Sequence, residues 1–166
     1  MKKQNSILIL IIVFMVLLII IPVSLFLVFK IQQTKKINEV KKEMTMNLKE
    51  DKVLFEDSMN ELSSYDYIYF TKEKSMIKIL YFDEKGEKQN ILLSSDDDKF
   101  NKTIKLFEKF EIYNISKYNN NFYFTYKTDL PFSFNLIYLV DMNEKTGHKL
   151  ENLKKITDNW YYAEEH

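Results

Sequence analysis

The sequence predicts an α+β fold in which an N-terminal single transmembrane helix and a helical stalk precede a mainly antiparallel sheet with one inserted helix. Three observations lead to this prediction. An apolar run near the N-terminus carries no charge, the next segment has neither glycine nor proline, and short runs rich in tyrosine, phenylalanine and isoleucine follow. We divide the chain into a short basic N-terminal tail (1–6), a transmembrane anchor (7–29), a helical stalk (30–62) and an α+β domain (63–166).

The predicted anchor, Ile7 to Phe29, has 23 uncharged residues, and only Pro22 and Ser24 interrupt its apolar pattern. A helix rises about 1.5 Å per residue, so this run reaches about 34 Å and spans a hydrocarbon core of about 30 Å with some tilt. Proline is tolerated in a membrane helix because nearby turns and serine side chains adjust the backbone hydrogen bonds. We therefore expect the lipid bilayer to be a partner through Ile7 to Phe29.

A cleavable secretory signal is the rival explanation, because Lys2 and Lys3 precede the apolar run. The apolar part of a signal peptide has only about 7–15 residues and ends at a site with small residues. The single alanine of the chain is Ala163, far from the run, and no cysteine is present to carry a lipid. The run is thus predicted to be an uncleaved, single-pass anchor in the cell membrane.

The orientation of the anchor rests on two arguments that disagree. The positive-inside rule favours a cytoplasmic domain, because five lysines follow the anchor closely and only two precede it. The following lysines are Lys30, Lys35, Lys36, Lys41 and Lys42. A short Met-Lys-Lys start before a long apolar run is, however, the common form of a signal anchor. We favour this second argument, which places the C-terminal domain outside the cytoplasm.

The stalk segment contains apolar residues at three- and four-residue steps, which predicts one long helix or two helices in register. The stripe consists of Ile37, Val40, Met44, Leu48, Phe55, Met59 and Leu62, with Asp51 interrupting it. Such a stripe either packs on the following sheet or pairs anchored chains as a short coiled coil, which would give a homo-oligomer through the stalk. We favour packing on the sheet, because the heptads are few and Asp51 breaks them.

From Tyr65 onward, strand patterns alternate with turn residues. A first strand, YDYIYFT, is followed by a hairpin of SMIKILYF and KQNILLS, joined by residues 83–86 with Gly86 where a positive φ is needed. Ser95 and Asp98 then form a Ser-x-x-Asp capping box for one helix, whose Phe100, Ile104 and Phe107 share a face. The lysines of this helix are predicted to face water.

The remaining sequence predicts further strands: EIYNIS, FYFTYKT, FSFNLIYLVD, LKKIT and WYYA, the last two joined by a tight turn at Asp158. The only tryptophan, Trp160, could form an exposed aromatic patch with Tyr161 and Tyr162. Strand alternation favours another arrangement, in which Trp160 and Tyr162 point into the core and Tyr161 points away from it.

The composition argues against nucleic-acid binding. All 24 basic residues are lysines, so the bidentate contacts of arginine to phosphate or guanine are missing. Two of the lysines precede the predicted anchor, so 22 lysines and all 24 carboxylates follow it. The segment after the anchor therefore has no excess of positive charge that would attract nucleic acid. Many of the tyrosines and phenylalanines are explained by strand propensity.

No residue is assigned to a catalytic, cofactor-binding or metal site. The two histidines, His148 and His166, follow a turn glycine or end the chain, and two isolated glycines exclude nucleophile elbows and phosphate loops. The acidic cluster of Asp96, Asp97 and Asp98 lacks the spacing of a calcium loop, and its position at a helix start explains its charges.

These observations predict a single-pass membrane-anchored protein with a non-catalytic extracytoplasmic α+β domain and a protein-interaction or accessory role in the cell envelope. The protein partner is not identified by the sequence. One alternative is a membrane-tethered hydrolase using carboxylates, which would need two or more buried acids in a cavity. Another is a cytoplasm-facing membrane regulator, which would follow from the opposite orientation.

Overall fold

The computed structural model describes residues 2–73, 76–83, 85–93, 97–126, 133–140 and 150–165, and it contains two compact units, Met1–Val40 and Lys41–His166. The described residues confirm the predicted α+β class. A long N-terminal apolar helix precedes a sheet of eight strands, and a short helix is inserted after the third strand.

The first helix, α1, extends over Lys2–Glu50. Its side chains from Val13 to Phe29 are exposed, and its most apolar window from Val13 onward has a mean hydropathy of 2.8. Beside Pro22, the hydroxyl of Ser24 donates to the carbonyl of Ile21 at 2.8 Å, so this polar side chain is hydrogen-bonded within the helix. By length and composition, α1 is able to cross a membrane once, which supports membrane localisation.

The second helix, α2, covers Lys52–Leu62 and begins at Asp51, whose φ of −145° lies outside the helical region. The Asp51 carboxylate accepts a hydrogen bond from the backbone N–H of Leu54 at 3.3 Å and from Lys109 Nζ at 2.7 Å. Asp51 therefore separates two helices and caps the second one. The alternative of two helices, not one, is correct.

The sheet has the strand order β3-β2-β1-β4-β5-β6-β8-β7, and each neighbouring pair is antiparallel. The strands are β1 (Tyr67–Glu73), β2 (Met76–Phe82), β3 (Lys88–Leu93), β4 (Ile112–Tyr118), β5 (Asn121–Tyr126), β6 (Ser133–Tyr138), β7 (Leu150–Thr157) and β8 (Trp160–Glu165). The predicted hairpin of β2 and β3 is confirmed, with Gly86 at φ +75° in its turn. The predicted turn between β7 and β8 contains Asp158 at φ +38°.

The inserted helix, α3, covers Asn101–Lys109 and follows a 3₁₀ turn at Asp98–Phe100. The predicted capping box of Ser95 and Asp98 falls partly outside the described residues. Ser95 and Asp96 lie outside the described residues, and Asp97 caps the 3₁₀ turn by accepting from the N–H of Lys99 at 3.0 Å.

The amino end of α3 is capped by a side chain of α2. The Glu61 carboxylate accepts hydrogen bonds from the backbone N–H groups of Lys102 at 2.7 Å and Thr103 at 2.8 Å, and from the Thr103 hydroxyl at 2.8 Å. A second link joins the hydroxyls of Ser58 and Thr103 at 2.8 Å. The two short helices are thus joined by side-chain hydrogen bonds.

One part of the core lies between the helices and the side of the sheet that faces them. Phe55 of α2 is 0% exposed, and its ring lies 5.0 Å from that of Phe124 and 5.7 Å from that of Trp160. Met44, Leu48 and Leu62 of the predicted stripe are also at most 2% exposed. This part of the stripe packs in the core of its own chain, as favoured from the sequence.

Candidate interaction surface

The side of β1 that faces away from the helices carries tyrosines. Ile68 and Phe70 of β1 are 0% exposed and point to the helices, and the Phe70 ring lies 5.1 Å from that of Phe100. Because successive strand residues point to opposite sides, Tyr67 and Tyr69 point away from the helices. Both are partly exposed.

Neighbouring strands extend these tyrosines into a continuous surface. Tyr118 of β4 is the register partner of Tyr67, and Leu80 of β2 is the partner of Tyr69. The ring of Phe82, at the end of β2, contacts that of Tyr67. We call this surface the aromatic face, and it consists of Tyr67, Tyr69, Leu80, Phe82 and Tyr118.

The rings of the aromatic face form a row across three strands. The Tyr67 ring centroid lies 5.7 Å from that of Phe82 at an interplanar angle of 54°, and 6.4 Å from that of Tyr118 at 83°. Phe82 remains 50% exposed and Tyr118 37% exposed. The rings therefore contact one another at inclined angles and leave apolar area in water.

The same side of the sheet is buried over the strands beyond β4. Tyr123, Ile137 and Ala163 are at most 1% exposed there and belong to one hydrophobic cluster. Thr125 Oγ1 donates to Asn135 Oδ1 at 2.6 Å on this side. The aromatic face lies on the part of this side, over β1, β2 and the end of β4, where the side chains are partly exposed.

The turn beside Phe82 is held in place by one carboxylate. Asp83 accepts hydrogen bonds from the N–H groups of Glu87 at 2.9 Å and Lys85 at 3.0 Å, and from Gln89 Nε2 at 2.8 Å. The bond from Glu87 is the main reason that the pKa of Asp83 lies below its usual range. The β2–β3 turn is therefore preorganised at the border of the aromatic face.

A second polar cluster lies between α1 and β8. Glu164, 7% exposed, accepts a hydrogen bond from the Tyr162 hydroxyl at 2.7 Å, and Lys41 Nζ lies 3.7 Å from the same carboxylate oxygen. The ammonium of Lys41 also lies 4.4 Å from the centroid of the Tyr162 ring. Burial raises the pKa of Tyr162, so its hydroxyl stays protonated and donates.

This cluster does not supply the paired acids of a hydrolase. Glu164 is the only carboxylate that is buried among the described residues, and Lys41 and Tyr162 satisfy it. Glu43 of α1 is half-buried, and burial together with the charge of Glu111 raises its pKa. Within the described ranges, no group of three His, Cys, Asp or Glu side chains is arranged to hold a metal ion.

Several of the residues that the sequence offered as candidates fall outside the described part of the chain. His148 and His166 lie outside the described residues, as does Asp96 of the acidic cluster. Trp160 and Tyr162 are in the core, 0% and 4% exposed, so the predicted alternation is confirmed and the alternative of an exposed patch at this strand is wrong. Tyr161 lies on the other side, half-buried against the cluster around Tyr123.

The aromatic face was not found from the sequence. The signal in YDYIYFT is an alternation of tyrosine with isoleucine and phenylalanine, but both sets are strand formers with large apolar parts. Which set faces solvent depends on where the helices pack.

No family model, curated protein or solved structure matches this chain.

Proposed function

We propose that this chain is a single-pass membrane-anchored protein whose non-catalytic α+β domain lies outside the cytoplasm and binds another protein, as an accessory component of the cell envelope. The observation that carries the proposal is the row of exposed rings in the aromatic face. Apolar surface exposed on a folded domain marks interaction sites, and tyrosine and phenylalanine are enriched at the centres of interfaces.

The strand positions of these rings favour a protein ligand. Each ring stands on a hydrogen-bonded strand, and Asp83 orders the adjacent turn, so little conformational entropy is lost on binding. A sugar ring stacks best on a flat platform, whereas the interplanar angles of 54° and 83° show that these rings are not coplanar. Side chains of a protein partner can pack between rings that are inclined to one another in this way.

Photo-crosslinking in native membranes tests the proposed binding. Benzoylphenylalanine would replace Phe82 in the full chain, and the control would carry it at Val53 of α2, which is 66% exposed. We expect an adduct with a second protein species at position 82 that is missing at position 53 and is lost when Tyr118→Ser is added. Equal adducts at both positions, or a product of twice the chain mass at position 82, would contradict a distinct protein partner on this face.

Single-cysteine labelling tests the proposed orientation, because the chain contains no cysteine. Gln4→Cys and Asn120→Cys would be treated in intact cells with a membrane-impermeant thiol reagent. We expect labelling at position 120, in the exposed turn between β4 and β5, and protection at position 4. The reverse pattern would support the cytoplasm-facing regulator and would move the search for a partner to the cytoplasm.

A further inference from the structure

Three lysines follow the apolar run of α1 within about two helical turns. They are Lys30, Lys35 and Lys36, and no carboxylate lies between Phe29 and Glu39. All three lysines are exposed. This part of α1 therefore carries three positive charges directly after the segment that is long and apolar enough to cross a membrane.

Helix geometry distributes these lysines around α1, which is continuous from Lys2 to Glu50. Successive residues of a helix are about 100° apart, so Lys35 lies about 140° from Lys30 in one direction and Lys36 about 120° from it in the other. Lipids on every side of the helix thus meet an ammonium group. We call these three residues the lysine ring.

The lysine ring lies near the level of the lipid headgroups when the membrane span ends at Phe29. At about 1.5 Å per residue, Lys30, Lys35 and Lys36 lie about 1.5, 9 and 10.5 Å beyond Phe29 along the helix axis. The headgroup layer on each side of a bilayer is about 5–8 Å thick. The long stem of a lysine side chain lets the ammonium group reach this layer from such a height.

The direction of the side chains also favours contact with the membrane. The Cα–Cβ bonds of a helix tilt toward its N-terminus, which for these lysines is the end that carries the apolar run. Lys30 follows this rule, because its Nζ lies 5.3 Å from the centroid of the Phe26 ring, one turn earlier in α1. A charge held so close to an apolar layer needs a compensating charge, which an anionic headgroup supplies.

Glu39, the first carboxylate of the sequence, does not neutralise the lysine ring. Its Oε1 lies 4.0 Å from Lys35 Nζ, and the side chains of Lys35 and Glu39 are 79% and 64% exposed. An ion pair between such exposed side chains is weak, because water screens the two charges and competes for them. One carboxylate also cannot balance three ammonium groups. The lysine ring therefore keeps an excess of positive charge.

We propose that the lysine ring binds anionic lipid headgroups and gathers negatively charged lipids around the end of the anchor. This inference rests on the membrane anchoring proposed above and adds which lipids surround the chain. The partner is a lipid because the ring follows the apolar run on the same helix, so the headgroups are the anions that lie closest to it. Basic residues next to a membrane span are attracted to anionic lipids in this way, and the attraction falls off within a Debye length of the surface.

Fluorescence quenching by brominated lipids tests this proposal in the full chain. Phe29→Trp places a tryptophan at the end of the apolar run, and the buried Trp160 adds the same emission to every sample. Two sets of vesicles contain phosphatidylcholine and phosphatidylglycerol in equal amounts and differ only in which lipid carries bromine on its acyl chains. Both leaflets have the same composition, so the result does not depend on the orientation of the chain.

We expect the association constant derived from quenching to be at least about threefold higher for phosphatidylglycerol than for phosphatidylcholine. Equal quenching by the two lipids would overturn the lysine ring as a lipid site and leave the anchoring intact. An absence of quenching by either lipid would instead contradict the anchoring, and the proposal would fall with it.

Removal of charge identifies the lysines that are responsible. In the Phe29→Trp chain, replacement of all three lysines of the ring by glutamine should abolish the preference for phosphatidylglycerol. The matched control replaces three exposed lysines of the sheet by glutamine, Lys88, Lys154 and Lys155, and should keep the preference although its net charge changes by the same amount. A preference that persists without the ring, or that is lost in the control, would refute the proposal.

Discussion

Replacing Glu61 by alanine is expected to lower the free energy of unfolding by about 2–3 kcal/mol. The first N–H groups of a helix have no partner within it, and the N-cap residue of α3, Phe100, provides no side-chain hydrogen bond. The Glu61 carboxylate accepts from two of these N–H groups and from the Thr103 hydroxyl, at 2.7–2.8 Å.

The magnitude follows from these bonds. A hydrogen bond to a charged group contributes about 1.5–3 kcal/mol, and the loss of an N-cap costs about 0.5–2 kcal/mol. The bonds are only partly buried, so water replaces some of them in the variant, and the sum is reduced accordingly. Glu61→Gln keeps one acceptor oxygen but loses the charge at the positive end of the helix, so we expect about half the effect.

Urea unfolding of the full chain in detergent micelles measures this effect. Trp160, the only tryptophan and 0% exposed, provides the fluorescence signal. The matched control is Glu108→Ala, an exposed glutamate at the other end of α3, for which a change within about 0.5 kcal/mol is expected. If Glu61→Ala and Glu108→Ala unfolded at the same midpoint with the same slope, the cross-helix cap would not stabilise the domain.

Three further predictions concern the helices. Phe55→Ala should lower the free energy of unfolding by about 3–5 kcal/mol in the same assay, because three aromatic rings pack on Phe55. Val53→Ala, on the exposed side of α2, should lower it by less than about 1 kcal/mol. Equal decreases would mean that α2 is not part of the core. Burial and a neighbouring carboxylate raise the pKa of Glu43, so its ionised form opposes folding. Glu43→Gln should therefore increase the free energy of unfolding at pH 7, and this increase should disappear below about pH 4. An increase that does not depend on pH would refute the assignment of this effect to Glu43 ionisation. The hydrogen bond from Lys109 lowers the pKa of Asp51 in the folded chain. The stability that this pair contributes is therefore present above the pKa of the unfolded chain and is lost as the pH falls through the pKa of the folded chain. Asp51→Asn keeps the cap but should reduce the loss of stability measured on acidification below pH 4, and an unchanged acid profile would contradict the ion pair.

Local patterns predicted much of the fold. The long apolar helix was predicted from an uncharged run, because the thickness of a bilayer requires about 20 apolar residues in one helix. The β2–β3 hairpin was found from Gly86, because a positive φ is accessible to glycine without strain. The core positions of Trp160 and Tyr162 followed from the two-residue period of a strand. Each of these signals lies within a few residues of the chain.

Lys117 illustrates what local patterns miss. It is 4% exposed, and its ammonium group donates to the carbonyls of Ser63 and Tyr65, just after α2. Burial lowers its pKa. A lysine side chain is expected in water, and the carbonyl groups that follow α2 offset the cost of burying this one.

The candidate site depended on tertiary structure in the same way. The sequence by itself determined that YDYIYFT is a strand, but the helices bury Ile68 and Phe70 and so leave the tyrosines outside. It determined that β3 and β7 are strands, but their places at the two edges come from pairing across the whole sheet. It also predicted a cap within residues 95–98, but the additional cap that Glu61 provides, 41 residues before Lys102, comes from the packing of α2 on α3. Sequence periodicity reports which groups a segment can bury, and the packing of distant segments decides which of those groups are buried, which are bonded and which stay free to bind.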